Sequence, residues 1–261
     1  MYYTTNGSAP TASSTPYAGA INITGANGAL TVVTLKVFTT DPLGNARAAD
    51  SFAYNIDKQV PAAPAIPDMQ AASDSGSSNT DNITKITTPT FDVPQVAGAT
   101  GYKVSIGGGA FVNIGNVATY TLPAQGDGAN TLRFKAYNAF GDSVASPTLN
   151  FTIKTASETI SGQAGYLNQW VVGGAGGAGA IFGAVGYPDS RSGTVTFSGN
   201  VTLVSITTTS PNISIDSGNI TGGNTLNVTA RMSAAVDGTI TAIVQDVAGN
   251  QTTVSQAVSQ F

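Results

Sequence analysis

The sequence of 261 residues contains no cysteine and no histidine, which removes two groups on which enzymes and metal sites often depend. Without cysteine there is neither a disulfide framework nor a thiolate site, so stability must come from packing. Without both residue types, the usual nucleophile–base pairs of hydrolases cannot be assembled. Glu158 is the only glutamate, which argues against a glycosidase with paired carboxylates. We therefore expect no enzymatic activity and predict no catalytic or cofactor-binding residue.

Charge and long apolar runs are also scarce. Charged residues make up 9% of the chain and the net charge is −4, which argues against a nucleic-acid partner because phosphate binding needs clustered Lys and Arg. No run approaches the roughly 18 apolar residues of a membrane-spanning helix. Met1 leads straight into Tyr-Tyr-Thr-Thr, without the basic and apolar regions of a secretory signal peptide. We expect either a part of a longer exported protein or a protein that reaches its place by another route.

One pattern of twelve residues occurs three times. It reads TLKVFTTDPLGN from residue 34, TLRFKAYNAFGD from residue 131 and TITAIVQDVAGN from residue 239. Apolar and polar residues alternate in each copy, which predicts a strand with one face on a core. An Asp or Asn then precedes a glycine by three positions, which predicts a type I turn closing a bulged hairpin. The predicted turn residues are Asp41, Gly44, Asn138, Gly141, Asp246 and Gly249.

Each turn is followed by a second alternating strand, so three hairpins are predicted to close three domains. We expect these domains at residues 1–57, 58–155 and 156–261, which suits a chain of this length. The short strand-like runs between turn residues predict an all-β fold of tandem β-sandwiches. The residues predicted to face the cores after the turns are Phe52, Tyr54 and Ile56, then Leu149, Phe151 and Ile153, then Ala257, Ser259 and Phe261.

The beginning of the chain, YYTTNGSAPT followed by Tyr17, Gly19 and the first TLK…D..GN pattern, resembles the C-terminal sandwich domain of chitobiases. Members of that family carry two further strands before this pattern, so the resemblance implies an incomplete first sandwich with an open edge. Another protein subunit could complete it by strand donation. A truncated gene or a divergent short domain is the alternative.

Residues 73–93, SDSGSSNTDNITKITTPTFDV, resemble the opening of the immunoglobulin-like (Ig-like) repeats of large bacterial adhesins. The ending IVQDVAGNQT of the third domain is also typical of such modules. The resemblance implies tandem Ig-like β-sandwiches. Between the first and second copies of the pattern lies a hairpin-like segment at residues 101–115 that turns around residues 107–109.

The glycine-rich stretch WVVGGAGGAGAIFGAVGYPD, residues 170–189, fits the third domain less well. Gly174, Gly176 and Gly179 match the spacing of a dinucleotide-binding turn, but later glycines and a proline prevent the helix which that site requires. We interpret the stretch as a glycine loop. It is also a candidate contact loop for a neighbouring protein, anchored by Trp170, Ile181 and Phe182.

Calcium is the one metal ion considered, because adhesin repeats often bind it between domains. The oxygen-rich candidates are Asp57, Asp68, Asp74 and Asp81, although the sequence shows no established calcium-loop spacing. The prediction is otherwise that no cofactor is bound.

Three functions remain open, all of them non-enzymatic. The first is a virion structural protein, such as a capsid decoration or a tail-fibre component, placed on the virion surface. The second is a spacer segment of a large secreted adhesin at a bacterial cell surface. The third is a carbohydrate-binding accessory module. The expected partners are other protein subunits and a host surface or glycan, with no nucleic acid and no membrane insertion.

Overall fold

The computed structural model describes residues 1–173, 179–181 and 188–259. In these ranges the chain forms strands and turns and no helix, so the described residues include no helix that could span a membrane. The predicted all-β fold class is confirmed. The chain divides into two compact units, one formed by residues 1–67, 93–118 and 133–148 and the other by residues 68–92, 119–132 and 149–261. Below, residues 1–57 are called the first domain, residues 58–155 the second domain and residues 156–261 the third domain.

The first domain is one antiparallel sheet in the order β2-β1-β3-β4. Its strands are β1 (Tyr2–Thr4), β2 (Thr15–Pro16), β3 (Leu30–Phe38) and β4 (Asp50–Asp57).

The prediction that Phe52 and Tyr54 face a core is wrong. They share a sheet face with Leu35, which is 8% exposed, but their own side chains are 49% and 41% exposed. Residues 1–57 form this single sheet, so aromatic rings near its edge strand stay half in solvent.

The second domain contains two sheets, in the orders β10-β7-β5 and β6-β13-β11-β8-β9, with β12 paired to β11. Its strands are β5 (Asp68–Met69), β6 (Ile83–Thr84), β7 (Thr90–Asp92), β8 (Gly101–Ile106), β9 (Val112–Gly115), β10 (Thr119–Thr121), β11 (Gly128–Asn138), β12 (Gly141–Asp142) and β13 (Leu149–Ile153).

The core positions predicted for β13 are confirmed. Leu149, Phe151 and Ile153 are 7%, 2% and 1% exposed, and the Phe151 ring meets the Phe91 ring edge-on with centroids 5.1 Å apart. The predicted hairpin around residues 107–109 is also present, because β8 pairs with β9 across it.

The described residues of the third domain also form two sheets, in the orders β14-β17-β20-β19 and β15-β22-β21-β18, with β16 parallel to β22. Its strands are β14 (Ile160–Gly165), β15 (Val171–Val172), β16 (Ala180–Ile181), β17 (Asp189–Phe197), β18 (Val201–Thr208), β19 (Ile213–Thr221), β20 (Thr225–Met232), β21 (Gly238–Asp246) and β22 (Gln251–Ser259).

The core positions predicted for β22 are wrong by one residue. Val254, Gln256 and Val258 are buried, whereas Ala257 and Ser259 are not. The reason is the register, because paired residues share a sheet face and the even-numbered residues of β22 pair with the buried even-numbered residues of β21. Phe261 lies outside the described residues.

Candidate functional site

The turn after β21 closes the last hairpin and is organised by Asp246. Asp246 Oδ1 accepts hydrogen bonds from the N–H groups of Ala248 and Asn250, both at 2.9 Å. The Gly249 N–H donates to the Asp246 carbonyl at 3.1 Å. Gly249 has a φ of 86°, which glycine adopts without the strain that a side chain would cause. We call residues 246–250 the docked turn.

The turn after β3 has the same internal hydrogen bonds. Asp41 Oδ1 accepts from the N–H groups of Leu43 at 2.9 Å and Asn45 at 2.8 Å, and the Gly44 N–H donates to the Asp41 carbonyl at 3.1 Å. Gly44 has a φ of 87°. Residues 41–45 are all exposed, and Leu43 is 88% exposed. We call residues 41–45 the free turn.

The third predicted turn, from Asn138 to Gly141, has a different form. Asn138 and Gly141 pair directly as the ends of β11 and β12, and Gly141 has a φ of 144°. The Asn138 side chain accepts from the Phe140 N–H at 2.9 Å and donates from Nδ2 to the Gln59 carbonyl at 2.7 Å. This turn is therefore tighter than the other two.

The docked turn rests on Lys154, the first residue after β13. The Lys154 ammonium donates to Asp246 Oδ2 and lies 3.1 Å from Glu158 Oε1. The Asn250 Nδ2 in turn donates to the Lys154 carbonyl at 2.7 Å. The Asp246 side chain is 1% exposed and that of Lys154 is 30% exposed. Because the aspartate is buried, losing one partner would leave a charge without compensation.

Residues on either side of β6 hold the other side of the docked turn. Ser75 Oγ donates to the Ala248 carbonyl at 2.6 Å, and the Lys85 ammonium donates to the Gly249 carbonyl at 2.8 Å. A Cβ atom on Gly76 would lie 2.0 Å from the Val247 carbonyl oxygen, so only glycine allows the two backbones to approach this closely. We call Ser75, Gly76, Lys85 and Lys154 the cradle.

The charges of this network shift the pKa values of its members. Burial acts to raise the pKa of Asp246, but the hydrogen bonds from Lys154 and Asn250 outweigh it and hold the pKa below the usual value. Burial acts to lower the pKa of Lys154, but the hydrogen bonds to Asp246 and Glu158 outweigh it and raise the pKa. Both groups are therefore charged at neutral pH, and they form an ion pair that holds the docked turn.

A second cluster, next to the cradle, presents oxygen atoms that lack partners. Asp74 is 4% exposed, and its Oδ2 accepts from the Asn82 N–H at 3.1 Å. Asp74 Oδ1 and Asn82 Oδ1 are buried without a hydrogen-bond partner. Burial raises the pKa of Asp74, the Asn82 N–H opposes the rise, and the neighbouring Asp81 carboxylate adds to it. We call Asp74, Asp81 and Asn82 the oxygen pocket.

The other calcium candidates lie elsewhere. Asp57 ends β4 and accepts from the Gln59 N–H at 3.0 Å, and Asp68 begins β5. Among the described residues, no three His, Cys, Asp or Glu side chains are grouped closely enough to hold a metal ion. The oxygen pocket has only two carboxylates, Asp74 and Asp81, and its third oxygen-bearing side chain is the amide of Asn82.

Trp170 is not placed to act as the predicted surface anchor. It is 2% exposed and belongs to the core cluster of the third domain. Its burial follows from the pairing of the next residues, Val171 and Val172, with β22. Ile181 lies on β16, but its side chain is outside the description, as are Gly174, Gly176 and Phe182 as whole residues. Of the three predicted anchors of the contact loop, Trp170 is therefore buried, and the side chains of Ile181 and Phe182 lie outside the described residues.

The sequence patterns missed the cradle, although they contained its residues. Ser75 and Gly76 belong to the SDSG motif, which the resemblance singled out without a role. Lys85 lies in the same stretch of residues 73–93, also without an assigned role. Lys154 follows the alternating strand β13 directly, but no pattern in the sequence links it to Asp246.

Two family models match parts of the chain. Residues 59–155 match the bacterial Ig-like domain family, and residues 1–51 match the chitobiase/beta-hexosaminidase C-terminal domain family. No curated protein matches the chain.

Three similar solved structures are distant in sequence, with identities of 12% to 14%. The FN1–FN3 domains of chicken CNTN1 share 12% identity at a TM-score of 0.35, over 87% of this chain and 76% of that chain. Domains 1–6 of the surface layer protein SbsC share 14% identity at a TM-score of 0.29, over 88% of this chain and 32% of that chain.

A Bacteroides ovatus protein, SGBP-B of a mixed-linkage glucan utilization locus in complex with a heptasaccharide, shares 14% identity at a TM-score of 0.20. The match covers 99% of this chain and 59% of that chain. The family matches, which are specific to segments, confirm both resemblances found in the sequence. Residues 59–155 resemble a bacterial Ig-like domain, and residues 1–51 resemble a chitobiase-type C-terminal domain.

Proposed function

We propose that the chain is a non-catalytic structural protein that holds Ig-like modules in a fixed series at the surface of a virion. The observation that carries the structural role is the seating of the docked turn in the cradle. A lysine–aspartate pair with a buried carboxylate, and two further side-chain bonds to turn carbonyls, resist bending at this point. A stiff series of modules suits display and spacing rather than turnover.

The scarcity of charge supports assembly with other subunits, since 9% charged residues leave much of the surface neutral. The exposed aromatic side chains of the first-domain sheet, Phe52 and Tyr54, support the same conclusion. Both features suit a capsid decoration or tail-fibre component that docks onto protein neighbours.

A spacer segment of a secreted bacterial adhesin is the second candidate. The match of residues 59–155 to a bacterial Ig-like domain favours it. The docked turn would serve equally there, because a spacer must keep its binding tip away from the cell.

Localisation separates the two candidates. Purified virus particles and washed cell envelopes from the source culture would be compared by quantitative mass spectrometry and by surface labelling with an antibody against this chain. Recovery in fixed proportion to the major capsid protein supports the virion role. Recovery in the envelope fraction within a longer polypeptide, with none on particles, would replace it with the adhesin role.

We also propose that the oxygen pocket binds a calcium ion. The fit rests on the two buried Oδ1 atoms of Asp74 and Asn82, which accept no hydrogen bond from the described residues. The donors are all oxygen atoms, as calcium prefers, and backbone carbonyls or water would complete its about six to eight ligands. The ion would also neutralise the repulsion between the Asp74 and Asp81 carboxylates.

Thermal unfolding in EGTA and in millimolar calcium tests this site. The wild-type chain should melt at a higher temperature with calcium. Asp74→Asn should melt higher than wild type in EGTA, because it removes one of two adjacent negative charges, and should not respond to calcium. Asp68→Asn is the matched control and should keep the calcium response. Melting of the wild-type chain that is independent of calcium would exclude the site.

A further inference from the structure

The edge strand β4 of the first-domain sheet lacks the features that usually protect an edge from pairing. In the part of the chain that the structure describes, β4 pairs with β3 on one side and with no strand on the other. Its residues are exposed except Ile56, which is partly buried. Natural edge strands are usually short or carry lysine, proline or a bulge, which prevents pairing with other chains. The interior of β4, residues 51–56, reads SFAYNI and contains neither charge nor proline.

The backbone groups that face outward from this edge can be identified. The Lys58 N–H donates to the Ala29 carbonyl at 3.1 Å, so the backbone N–H of Lys58 points toward β3. Hydrogen-bonded and non-hydrogen-bonded pairs alternate in an antiparallel ladder. The backbone N–H and C=O groups of residues 50, 52, 54 and 56 therefore also point toward β3. The N–H and C=O groups of residues 51, 53, 55 and 57 therefore point away from the sheet. The Gly7 N–H, which donates to the Thr34 carbonyl on the opposite side of β3, agrees with this assignment because Thr34 pairs with Ala53.

We propose that β4 pairs antiparallel with β4 of a second copy of this chain, about a two-fold axis that passes between the two Tyr54 residues. In this register the outward-facing Ala53 meets Asn55 of the second copy, and Ser51 meets Asp57. These pairs have the free groups that a continuous ladder requires. Two four-stranded sheets would join into one.

The side chains of β4 are self-complementary in this register. Phe52 lies opposite Ile56 of the second copy, which places apolar side chains together on the face where Phe52 is 49% exposed. Asp50 lies opposite Lys58 of the second copy, so both ends of the paired strands carry opposite charges. Opposite charges and apolar pairs at facing positions stabilise a ladder, whereas like charges destabilise it. Shifting the register by two residues in either direction removes the Asp50–Lys58 pairing.

The absence of cysteine from the sequence allows a direct test with the full chain. Tyr54→Cys places one thiol at the two-fold axis, in a non-hydrogen-bonded pair with a Cα separation of about 4.5 Å. This lies within the range that a disulfide spans. Mild oxidation should convert Tyr54→Cys to a covalent dimer. Phe52→Cys alone should stay monomeric on a denaturing gel, because its two thiols would lie about 13 Å apart along the strands.

Mixing Phe52→Cys with Ile56→Cys should produce a mixed covalent dimer, since these positions face each other. Efficient cross-linking of Phe52→Cys with Tyr54→Cys, instead of Tyr54→Cys with itself, would overturn the register. Equal cross-linking of every variant would mean random collision and would overturn the interface.

Sedimentation of the chain without cysteine provides the second measurement. The apparent mass should rise toward twice the monomer mass as concentration increases. Ala53→Pro should weaken the dimer about tenfold or more, because proline removes an outward N–H and leaves the β3–β4 ladder intact. Ala53→Ser, which keeps this N–H, is the matched control. A chain that remains monomeric at all concentrations, with an unchanged Ala53→Pro variant, would contradict the proposal.

Discussion

The free turn and the docked turn show how surroundings decide the role of one local structure. Asp41 and Asp246 accept the same two backbone hydrogen bonds, and the glycines that follow have φ values within a degree of each other. Asp41 nevertheless stands in solvent, whereas the Asp246 side chain is 1% exposed and is paired with Lys154. The turn is therefore a local product of its sequence, and docking is supplied by the cradle.

The largest difference between the two turns should come from their aspartates. Asp246→Ala removes the carboxylate that pairs with the Lys154 ammonium and leaves its buried site unfilled. This should lower the unfolding free energy of the compact unit that contains residue 246 by about 3 kcal/mol. Asp41→Ala removes the same internal hydrogen bonds from an exposed turn and should have a much smaller effect. Urea unfolding of both variants measures the difference. Equal losses would mean that docking adds no stability.

The paired glycines sharpen the same comparison. A Cβ atom on Gly44 meets nothing within 4 Å, but one on Gly249 would lie 2.9 Å from the Gly76 nitrogen. Gly44→Ala should therefore cost only the left-handed strain, about 1 kcal/mol, and Gly249→Ala should cost about 2 kcal/mol because backbone must also move. Both variants are compared by urea unfolding. A larger loss for Gly44→Ala would contradict the docked geometry.

One hydroxyl of the cradle should have a smaller effect. Ser75→Ala removes the donor to the Ala248 carbonyl and also the acceptor of the Lys85 N–H, and it should cost about 1 kcal/mol. Ser78→Ala, in the same loop, is the control and should be close to neutral. The measurement is thermal or urea unfolding at neutral pH. No loss for Ser75→Ala would mean that water replaces the hydroxyl.

The smallest expected effect is the dependence on pH. The folded-state pKa of Asp246 lies below its ordinary value of 3.8, so its pairing stabilises the fold at higher pH. This contribution is lost as the pH falls below about 4 and through the lowered pKa. Unfolding free energy measured from pH 6 to pH 2 should fall less steeply in Asp246→Asn than in the wild-type chain. Identical slopes would show that Asp246 does not titrate with docking.

The sequence predicted those parts of the fold that depend on short-range patterns. Alternation along β11 and β21 and the spacing from Asp to Gly predict strands and turns, because backbone periodicity and left-handed glycine are local effects. The burial of Phe52 and Tyr54 on β4 and the face of β22 were predicted wrongly, since the covering of a sheet and the register across a turn are not local. Counting inward positions from the glycine ignored that β22 resumes pairing immediately at Gln251.

The candidate site was predicted only in part for the same reason. Asp246 was identified as a turn residue, but its partner Lys154 lies 92 positions away. A single sequence contains no signal that joins residues over such a distance. The oxygen pocket was better anticipated, because Asp74 and Asp81 lie close together in the chain and were both named as calcium candidates.

The attachment of Lys154 directly after β13 has a mechanical consequence. β13 is hydrogen-bonded along its length to β11 and in parallel to β6, so tension on the chain at residue 154 would shear several bonds at once instead of unzipping them one by one. The Lys154 side chain is also paired with Asp246. Tension applied at residue 154 would therefore load the β13 ladder and this ion pair together, where the second domain joins the third.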